Sequence, residues 1–397
     1  MRILLAPDSF KESASAEAIA QAMVRGIKRG NPQAECRLMP LSDGGEGLTQ
    51  ALVHATAGTL HSVETVDAIG RPITAQFGFL GNNHASCILH TAVVELASAS
   101  GLERVSPADR NALTASTFGT GLLIRAAIDA GADRIVLGLG GSATTDGGTG
   151  LARALGFRFL DSTDHTIPLG GGVLADLAKI DDSEVPDSVK NIPIVLACDV
   201  TNPLTGPEGA AHVFAPQKGA NTAQIELLDR GLANLAHVIM QYNGRDIERI
   251  PGTGAAGGTG GGMLGLFNTT VRPGIELVLD LAHGREACAW ADVIITGEGS
   301  IDSQTPYGKV PSGIAKLAQS QGKPTIAIGG TVTRDPHTVE VLNETGIVAT
   351  FGIAPGPADL TTLIADTERN VEITCAAIAG TLRVASATAV TAATSPC

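Results

Sequence analysis

The stretch RILLAPDSFKESASAEAIAQAMVRGIK, residues 2–28, contains the pattern that decides the fold. Residues 2–6 (RILLA) form a short apolar run, which is typical of a buried strand. From Ser15 to Lys28 apolar residues recur every fourth position, which predicts a helix. A second strand at 35–41 and a second helix at 47–57 follow. This β-α-β-α order is typical of a parallel sheet with helices on its faces.

The pattern changes after residue 58. Segments 59–67, 72–80 and 84–94 predict strands that are separated by short turns, and such connections imply antiparallel pairing. The rest of the middle section predicts a mixed α+β structure. Its predicted elements are helices at about 117–130 and 222–241 and strands at 134–138 and 193–197.

Regular alternation returns near the end, with strands at 291–296, 324–328 and 346–352 and helices at 311–320, 336–343 and 359–383. We therefore predict an α/β protein of two α/β domains. One is a flavodoxin- or Rossmann-like parallel-sheet domain, discontinuous in sequence and formed by 1–58 and 287–384. The other is an inserted mixed α+β domain, 59–286. Residues 385–397 are small and polar and predict a frayed tail.

Composition excludes several classes of function. Of the 397 residues, 27 are Lys or Arg and 40 are Asp or Glu, so the net charge of −13 argues against a nucleic-acid partner. The six cysteines are scattered without a CxxC, as expected for reduced thiols in the cytoplasm. We expect no signal peptide and no membrane span. The 49 glycines occur in clusters, which indicates close approach of the backbone to other groups.

Polar residues follow several predicted strands, where open parallel sheets bind their ligands. Asp8-Ser9-Phe10-Lys11 follows the first strand, and Ser42–Gly47 (SDGGEG) follows the second. Gly297–Asp302 (GEGSID) follows a strand near the end of the chain. Each could be an ordinary tight turn, where Asp-Gly is common. Their convergence at one sheet edge favours a ligand site.

The segment GLGGSATTDGGTG, residues 138–150, follows one strand and precedes a predicted helix. Glycines allow successive backbone N–H groups to point at one anion, so the segment predicts a phosphate-binding loop. The alternative is a structural loop that packs two domains. No GxxxxGK[ST] motif is present, and GTGAAG at 252–257 follows a polar stretch rather than an apolar strand. Neither a Walker-type nor a dinucleotide site is therefore predicted, and a flexible loop or close domain contact is expected at 252–257.

Asp199 lies just past the strand 193–197 and could bind Mg²⁺, accept a proton from a substrate hydroxyl, or cap a turn. The nine histidines show no HxxxH spacing, which argues against zinc.

Together, these strings resemble the type I bacterial glycerate kinases over nearly the whole chain, up to about residue 384. The resemblance implies an ATP- and Mg²⁺-dependent kinase that makes 2-phosphoglycerate in glyoxylate and aldarate breakdown. The strings that carry it are APDSFKES (6–13), SDGGEG (42–47), GGSATTDGG (140–148), ACDVTNPLTGPEGAA (197–211), FAPQKGA (214–220), GAAGGTGGG (254–262) and ITGEGSIDSQTPYGKVP (295–311).

Two positions depart from the family pattern. Thr145 stands where SATNDGG is usual, and Ser300 stands where GEGRIDSQ is usual. An arginine beside Asp302 would offer a fork for a carboxylate or phosphate, so its absence leaves substrate preference open.

Roles follow from the demands of phosphoryl transfer, which are positioning and charge neutralisation. Lys11 is predicted to neutralise either the moving phosphoryl group or the glycerate carboxylate. The predicted catalytic residues are Lys11, Asp43 and Asp199. The predicted ATP-binding residues are Gly140, Gly141, Ser142, Gly147, Gly148, Glu298 and Lys309. The predicted substrate-binding residues are Asp8, Ser9, Asn202 and Asp302, and the predicted metal ligands are Asp43, Asp199 and Asp302.

Two alternatives stay open: a kinase for another small hydroxy or sugar acid, and a non-catalytic anion-binding regulator. The retained lysine and carboxylates argue against the regulator. A homodimer is possible, and the enantiomer accepted is not predicted.

Overall fold

A computed structural model describes residues 1–42, 44–45, 47–81 and 90–393, with side chains to residue 384. The chain divides into two units. Unit 1 comprises Met1–Asp43 and Ile275–Cys397, and unit 2 comprises Gly44–Gly274. The α/β fold class is confirmed, because unit 1 contains a parallel sheet and unit 2 a mixed one.

The strands are β1 (Arg2–Pro7), β2 (Glu35–Leu38), β3 (Thr59–Val66), β4 (Pro72–Phe79), β5 (Thr91–Glu95), β6 (Arg134–Gly138), β7 (Arg158–Leu160), β8 (Lys179–Asp181), β9 (Ile194–Ala197), β10 (Thr269–Arg272), β11 (Val293–Ile301), β12 (Thr325–Val332) and β13 (Ile347–Gly352). The helices are α1 (Ala16–Gly30), α2 (Leu48–Thr56), α3 (Ala97–Ser100), α4 (Phe118–Asp129), α5 (Thr149–Ala154), α6 (Asp187–Asn191), α7 (Ala210–Phe214), α8 (Thr222–Asn243), α9 (Ala255–Leu266), α10 (Gly274–Leu281), α11 (Gly284–Trp290), α12 (Val310–Gln319), α13 (Pro336–Glu344), α14 (Leu360–Ala365) and α15 (Thr367–Ala393).

The sheet of unit 1 is parallel, in the order β13-β12-β11-β1-β2. The chain passes from β1 to β2 at one edge and then returns to the other side of β1 to form β11, β12 and β13. The strand order therefore reverses between β1 and β11, where Pro7 pairs with Gly297. In doubly wound sheets this reversal opens a crevice at the carboxyl ends of the strands, where ligands bind.

Helices cover both faces of this sheet. Alternate residues of β1 point to opposite faces, and Ile3 and Leu5 pack into a cluster with Met23 of α1 and Val371 of α15. The helices α1 and α15 lie close together because Gly26 has no side chain; a Cβ atom there would overlap the carbonyl oxygen of Glu372. On the other face α11 and α12 contact the sheet.

The sheet of unit 2 has the order β10-β9-β6-β5-β4-β3. The strands β5, β6, β9 and β10 are parallel, whereas β3 and β4 form an antiparallel hairpin and β4 also pairs antiparallel with β5. The predicted antiparallel pairing of this region is confirmed. Residues 84–89 of the predicted strand 84–94 lie outside the described residues. The pattern does not predict β7, β8 or β10, which are short.

The bounds of the units differ from the predicted domain boundaries. The helix α2 is predicted in the discontinuous domain but lies in unit 2, where the Glu95 carboxylate accepts from the N–H groups of Gly47 (3.0 Å) and Thr49 (2.6 Å). Residues 275–286 are predicted in the inserted domain but lie in unit 1, where a Cβ atom at Gly313 would overlap Ile275. Packing decides both assignments, and element order does not reveal it.

The last helix, α15, continues to Ala393, into the segment 385–397 that is predicted as a tail. Alanine is frequent there and favours helix. Across the part of the chain that the structure describes, no helix is both long and apolar enough to cross a membrane.

Candidate active site

In unit 1 the residues after β1 and β11 converge at the reversal of strand order. The N–H of Asp8 donates to the carbonyl of Gly297 at 2.8 Å, and a Cβ atom at Gly299 would lie 3.7 Å from the backbone nitrogen of Lys11. The carboxylate of Asp8 is buried and accepts from the N–H of Ser9 at 2.6 Å. The side chain of Lys11 is exposed. The predicted meeting of these two strand ends is thus present, although the roles of the residues stay predictions.

A cluster of charged and hydroxyl groups lies at the end of β11. The carboxylate of Glu298 is buried, accepts from the Thr305 hydroxyl at 2.5 Å and lies 3.3 Å from the ammonium of Lys309. The same ammonium is 3.8 Å from Asp302 Oδ1. The Thr305 hydroxyl also accepts from the N–H of Asp302 at 3.0 Å. Lys309 therefore sits between two carboxylates, and Thr305 joins the backbone of one to the side chain of the other.

The surroundings shift the two carboxylates in opposite directions. Burial raises the pKa of Glu298, and the Thr305 hydroxyl and the Lys309 ammonium offset part of that effect. Burial acts in the same sense on Asp302, but the Gln304 amide and Lys309 outweigh it, so the pKa of Asp302 falls below its ordinary value. Asp302 is therefore held ionised, whereas Glu298 is the group whose proton affinity is increased.

Ser300, which replaces the arginine of the family pattern, lies beside Asp302. Its hydroxyl donates to Asp302 Oδ2 at 3.1 Å and accepts from the Thr331 hydroxyl of β12 at 2.9 Å. The second departure, Thr145, is fully buried in unit 2, where its hydroxyl has no hydrogen-bond partner among the described residues.

In unit 2 the glycine segment 138–150 begins at the end of β6 and forms a turn at Gly140–Ser142, in which Gly140 is half-buried, Gly141 is exposed and Ser142 is buried; the rest of the segment is buried. Gly141 is exposed and has a φ of +70°, which glycine adopts without strain. Two backbone hydrogen bonds hold the turn: the carbonyl of Gly141 accepts from Leu102 N–H at 2.8 Å, and Ala143 N–H donates to the carbonyl of Ser100 at 2.9 Å. Within the described residues, no acceptor is bonded to the N–H groups of Gly140, Gly141 or Ser142.

The second half of the segment has a different role. The N–H of Gly147 donates to the carbonyl of Gly257 at 3.0 Å, and that of Gly148 donates to Asp146 Oδ1 at 3.2 Å. Both glycines are buried, and a Cβ atom at Gly147 would overlap Leu235 of α8. The prediction that Gly147 and Gly148 bind phosphate is therefore not supported, because their N–H groups are already bonded inside unit 2.

The GTGAAG segment at 252–257, predicted as a flexible loop or close domain contact, packs behind this half. A Cβ atom at Gly257 would overlap the carbonyl oxygen of Thr144. Two glycine-rich segments of unit 2 thus meet back to back.

Asp146 and Lys218, whose roles are not predicted from the sequence, are buried next to the turn. The Asp146 carboxylate is fully buried and accepts from the N–H of Thr117 (2.8 Å), the N–H of Gly150 (3.3 Å) and the Thr117 hydroxyl (2.9 Å), so it joins the starts of α4 and α5. Burial raises the pKa of Asp146 against these hydrogen bonds. In the sequence, Asp146 is the single carboxylate inside the glycine-rich segment 138–150, and this position is the feature that could have indicated its structural role.

Lys218 is 2% exposed, and its ammonium donates to the carbonyl of Thr144 at 2.6 Å. Burial lowers the pKa of Lys218 to about 7, and the charge of Asp146 opposes this shift. A lysine in the string FAPQKGA carries no sign in sequence that it is buried.

Other predicted residues of unit 2 lie near the same sheet edge. A Cβ atom at Gly140 would lie 2.6 Å from Gly45 Cα, so Gly45 of the SDGGEG string adjoins the glycine turn. Asp199 is exposed after β9, and its Oδ1 accepts from the N–H of Gly274 at 2.8 Å. The side-chain amide of Asn202 donates to the carbonyl of Glu208 at 2.8 Å. Asp43 lies outside the described residues.

Among the described residues, the carboxylates do not form a metal-binding cluster, because no group of three or more His, Cys, Asp or Glu side chains could hold a metal ion. At Asp302 the Lys309 ammonium already faces Oδ1. Asp199 offers an exposed carboxylate, which suits a hard cation such as Mg²⁺ that needs only one or two protein oxygens beside those of a phosphate.

Unit 1, with its parallel sheet, and unit 2, with its mixed sheet, define an α/β protein of two units. Residues 3–383 match the model of the glycerate kinase family. The chain is 43% identical over 385 residues to the glycerate kinase of Bacillus subtilis strain 168, covering 97% of this chain and 98% of that protein. It is 41% identical over 353 residues to the glycerate 2-kinase of Escherichia coli K12, covering 89% and 90%.

A crystal structure of a candidate glycerate kinase 2 from Salmonella typhimurium LT2 superposes with a TM-score of 0.85 at 42% identity, covering 97% of this chain and 99% of that one. The chain belongs to the glycerate kinase family.

Proposed function

We propose that this protein transfers the γ-phosphoryl group of ATP to glycerate and forms 2-phosphoglycerate. The observation that carries the proposal is the turn Gly140–Ser142 after β6, where Gly141 is exposed and the three N–H groups have no acceptor among the described residues. Backbone donors arranged in this way suit phosphate oxygens. The names of the relatives support glycerate as the acceptor, and the name of the Escherichia coli relative supports the 2-hydroxyl group.

Each unit supplies groups that phosphoryl transfer needs. In unit 2 the turn would hold phosphate oxygens of ATP, and Asp199 would hold Mg²⁺, which would supply positive charge to those phosphates. In unit 1 the Lys11 ammonium neutralises either the moving phosphoryl group or the glycerate carboxylate. Phosphoryl transfer depends on this positioning and neutralisation more than on covalent chemistry.

The charged cluster of Glu298, Asp302 and Lys309 after β11 orients glycerate or ATP. The buried carboxylate of Glu298 and the half-buried ammonium of Lys309 form an ion pair, and Asp302 is held ionised beside them. Asp8 and Ser9 complete the polar edge next to β1. The N–H groups of Gly147 and Gly148 are bonded to Gly257 and Asp146, so neither glycine is proposed as a ligand of the nucleotide.

A coupled ADP-release assay tests the proposal, with D- and L-glycerate and a panel of other hydroxy and sugar acids as acceptors. We expect glycerate to give the highest kcat/KM, with phosphorus NMR of the product matching authentic 2-phosphoglycerate. A higher kcat/KM for another acid would favour the alternative kinase. ATP binding without turnover for any acid would favour a regulator, and pure 3-phosphoglycerate would contradict the assigned hydroxyl group.

A further inference from the structure

Lys218 is the buried cation of unit 2 that touches the glycine segment. Its side chain is 2% exposed, and its ammonium donates to the carbonyl of Thr144 at 2.6 Å. Lysine is seldom fully buried, because removing its charge from water is costly. A buried lysine whose hydrogen bond goes to a backbone carbonyl of a candidate ligand loop is therefore a candidate for fixing that loop.

The contact continues from Thr144 to Ser142. The Ser142 hydroxyl donates to the same carbonyl at 3.3 Å, accepts from the N–H of Thr144 at 3.0 Å and lies 2.9 Å from the Thr144 hydroxyl. The Thr144 carbonyl is enclosed from another side by Gly257, where a side chain would overlap it. Lys218 is thus linked to the residue that ends the open turn.

The turn is held by two different means. The backbone bonds of Leu102 and Ala143 link it to the segment 100–102, and Lys218 contacts its C-terminal end through the Thr144 carbonyl. Without the Lys218 contact, the Thr144 carbonyl loses its 2.6 Å bond and retains the 3.3 Å bond from the Ser142 hydroxyl, so the backbone of Gly140–Ser142 is held less rigidly. Preorganised donors of this kind bind an anion without a reorganisation cost at each binding event.

We propose that Lys218 is a positioning residue of the phosphate-binding turn, which acts on bound nucleotide through the Thr144 carbonyl and Ser142 rather than by touching it. The inference rests on the proposed function of the turn in binding ATP. It concerns nucleotide affinity, so glycerate binding provides an internal reference.

The test compares wild-type protein with Lys218→Met, which keeps the length of the side chain and removes its donors. We expect the ATP KM, and the Kd of a non-hydrolysable ATP analogue, to rise about ten- to a hundredfold, as for a lost hydrogen bond to a charged group. The glycerate KM should stay within about twofold, because the residues predicted to bind glycerate (Asp8, Ser9, Asn202 and Asp302) lie outside the turn. Lys218→Gln, which keeps a donor without the charge, should lie between the two proteins.

Ile239→Ala is the matched control, because Ile239 is buried in α8 and packs beside Gly265 rather than beside the turn. It should destabilise unit 2 while leaving the ATP KM unchanged. A folded Lys218→Met protein with the wild-type ATP KM would overturn the proposal. So would equal rises in the two substrate constants.

If Lys218→Met does not fold, Lys218→Gln decides the question. A folded Gln variant with a raised ATP KM supports positioning, whereas a wild-type ATP KM, or failure of this variant to fold, assigns Lys218 to stability alone. The wild-type protein is measured first. If it neither turns over ATP nor binds the ATP analogue, the proposed function itself is contradicted.

Discussion

Two glycines of the same segment should separate nucleotide binding from packing. Gly141 (φ +70°) and Gly147 (φ +61°) both adopt the left-handed region, so an alanine at either position costs about 1–2 kcal/mol of stability. At Gly141 the new Cβ atom would lie 3.2 Å from Ala97 Cβ, which is tight but on the exposed side. At Gly147 it would overlap Leu235 Cδ2 in the core, which adds about 1–3 kcal/mol for overpacking.

The expected losses in the free energy of unfolding are therefore about 1–2 kcal/mol for Gly141→Ala and about 2–5 kcal/mol for Gly147→Ala. The order reverses for nucleotide. A methyl group at Gly141 stands between the backbone donors and a phosphate, so the ATP KM should rise on the order of tenfold, as for one lost hydrogen bond. The N–H of Gly147 is bonded to Gly257, so the ATP KM of folded Gly147→Ala should stay near the wild-type value.

Urea unfolding followed by far-UV circular dichroism measures the stability of the variants. Trp290 lies in α11 of unit 1, so its fluorescence reports that unit, and hydrogen exchange of peptides from α8 reports unit 2. Gly147→Ala should speed exchange in α8 with little change at Trp290. A raised ATP KM in Gly147→Ala, at wild-type stability, would refute the division of the segment into a binding turn and a packed half.

Lys11→Met should lower kcat or raise the glycerate KM by about 10²–10³-fold, because it removes an ammonium beside the transferring phosphoryl group or the glycerate carboxylate. The matched control is Lys179→Met, at an exposed lysine. Wild-type values of both constants in Lys11→Met would show that Lys11 is not part of the site. Gly26→Ala should destabilise unit 1 by about 1–3 kcal/mol in urea unfolding, since its Cβ atom would overlap the Glu372 carbonyl oxygen, and unchanged Trp290 unfolding would contradict that packing. Burial lowers the pKa of Lys218 to about 7, so above that pH the unfolded protein binds more protons than the folded protein does. The free energy of unfolding of wild type, relative to Lys218→Met, should therefore rise from pH 7.5 to 9.5 by up to about 1.4 kcal/mol per pH unit. A difference that does not change with pH would show that the pKa of Lys218 is not lowered in the folded protein.

The sequence predicts the parts of the fold that depend on local periodicity. Apolar runs and helical spacing are enough to predict β1, α1 and β11 and the parallel character of the sheet. The rule that ligands gather at carboxyl ends of parallel strands then brings Asp8 near Glu298 without any knowledge of packing. These inferences succeed because each needs only neighbours in the chain and one general rule of topology.

The roles of individual glycines could not be predicted in the same way. Gly141 and Gly147 are six positions apart in one string and have similar φ values, yet one is exposed and the other packs against Leu235. The difference comes from α8, which is distant in sequence. Lys218 likewise reaches Thr144 across 74 positions. Contacts between residues so distant in sequence produce no periodic pattern. Glycine content alone therefore predicts phosphate binding for both halves of the segment.

The replacement of an arginine by Ser300 does not leave Asp302 unsupported. Lys309 lies 3.8 Å from Asp302 Oδ1, while the Ser300 hydroxyl donates to Oδ2 and is itself held by Thr331. The pKa of Asp302 is still lowered in spite of partial burial, so the carboxylate remains ionised without a neighbouring guanidinium. What the substitution removes is a long planar donor that could reach a substrate carboxylate or phosphate. The effect of Ser300 is therefore expected on which hydroxy acid is preferred, and it leaves the local architecture that holds Asp302 intact.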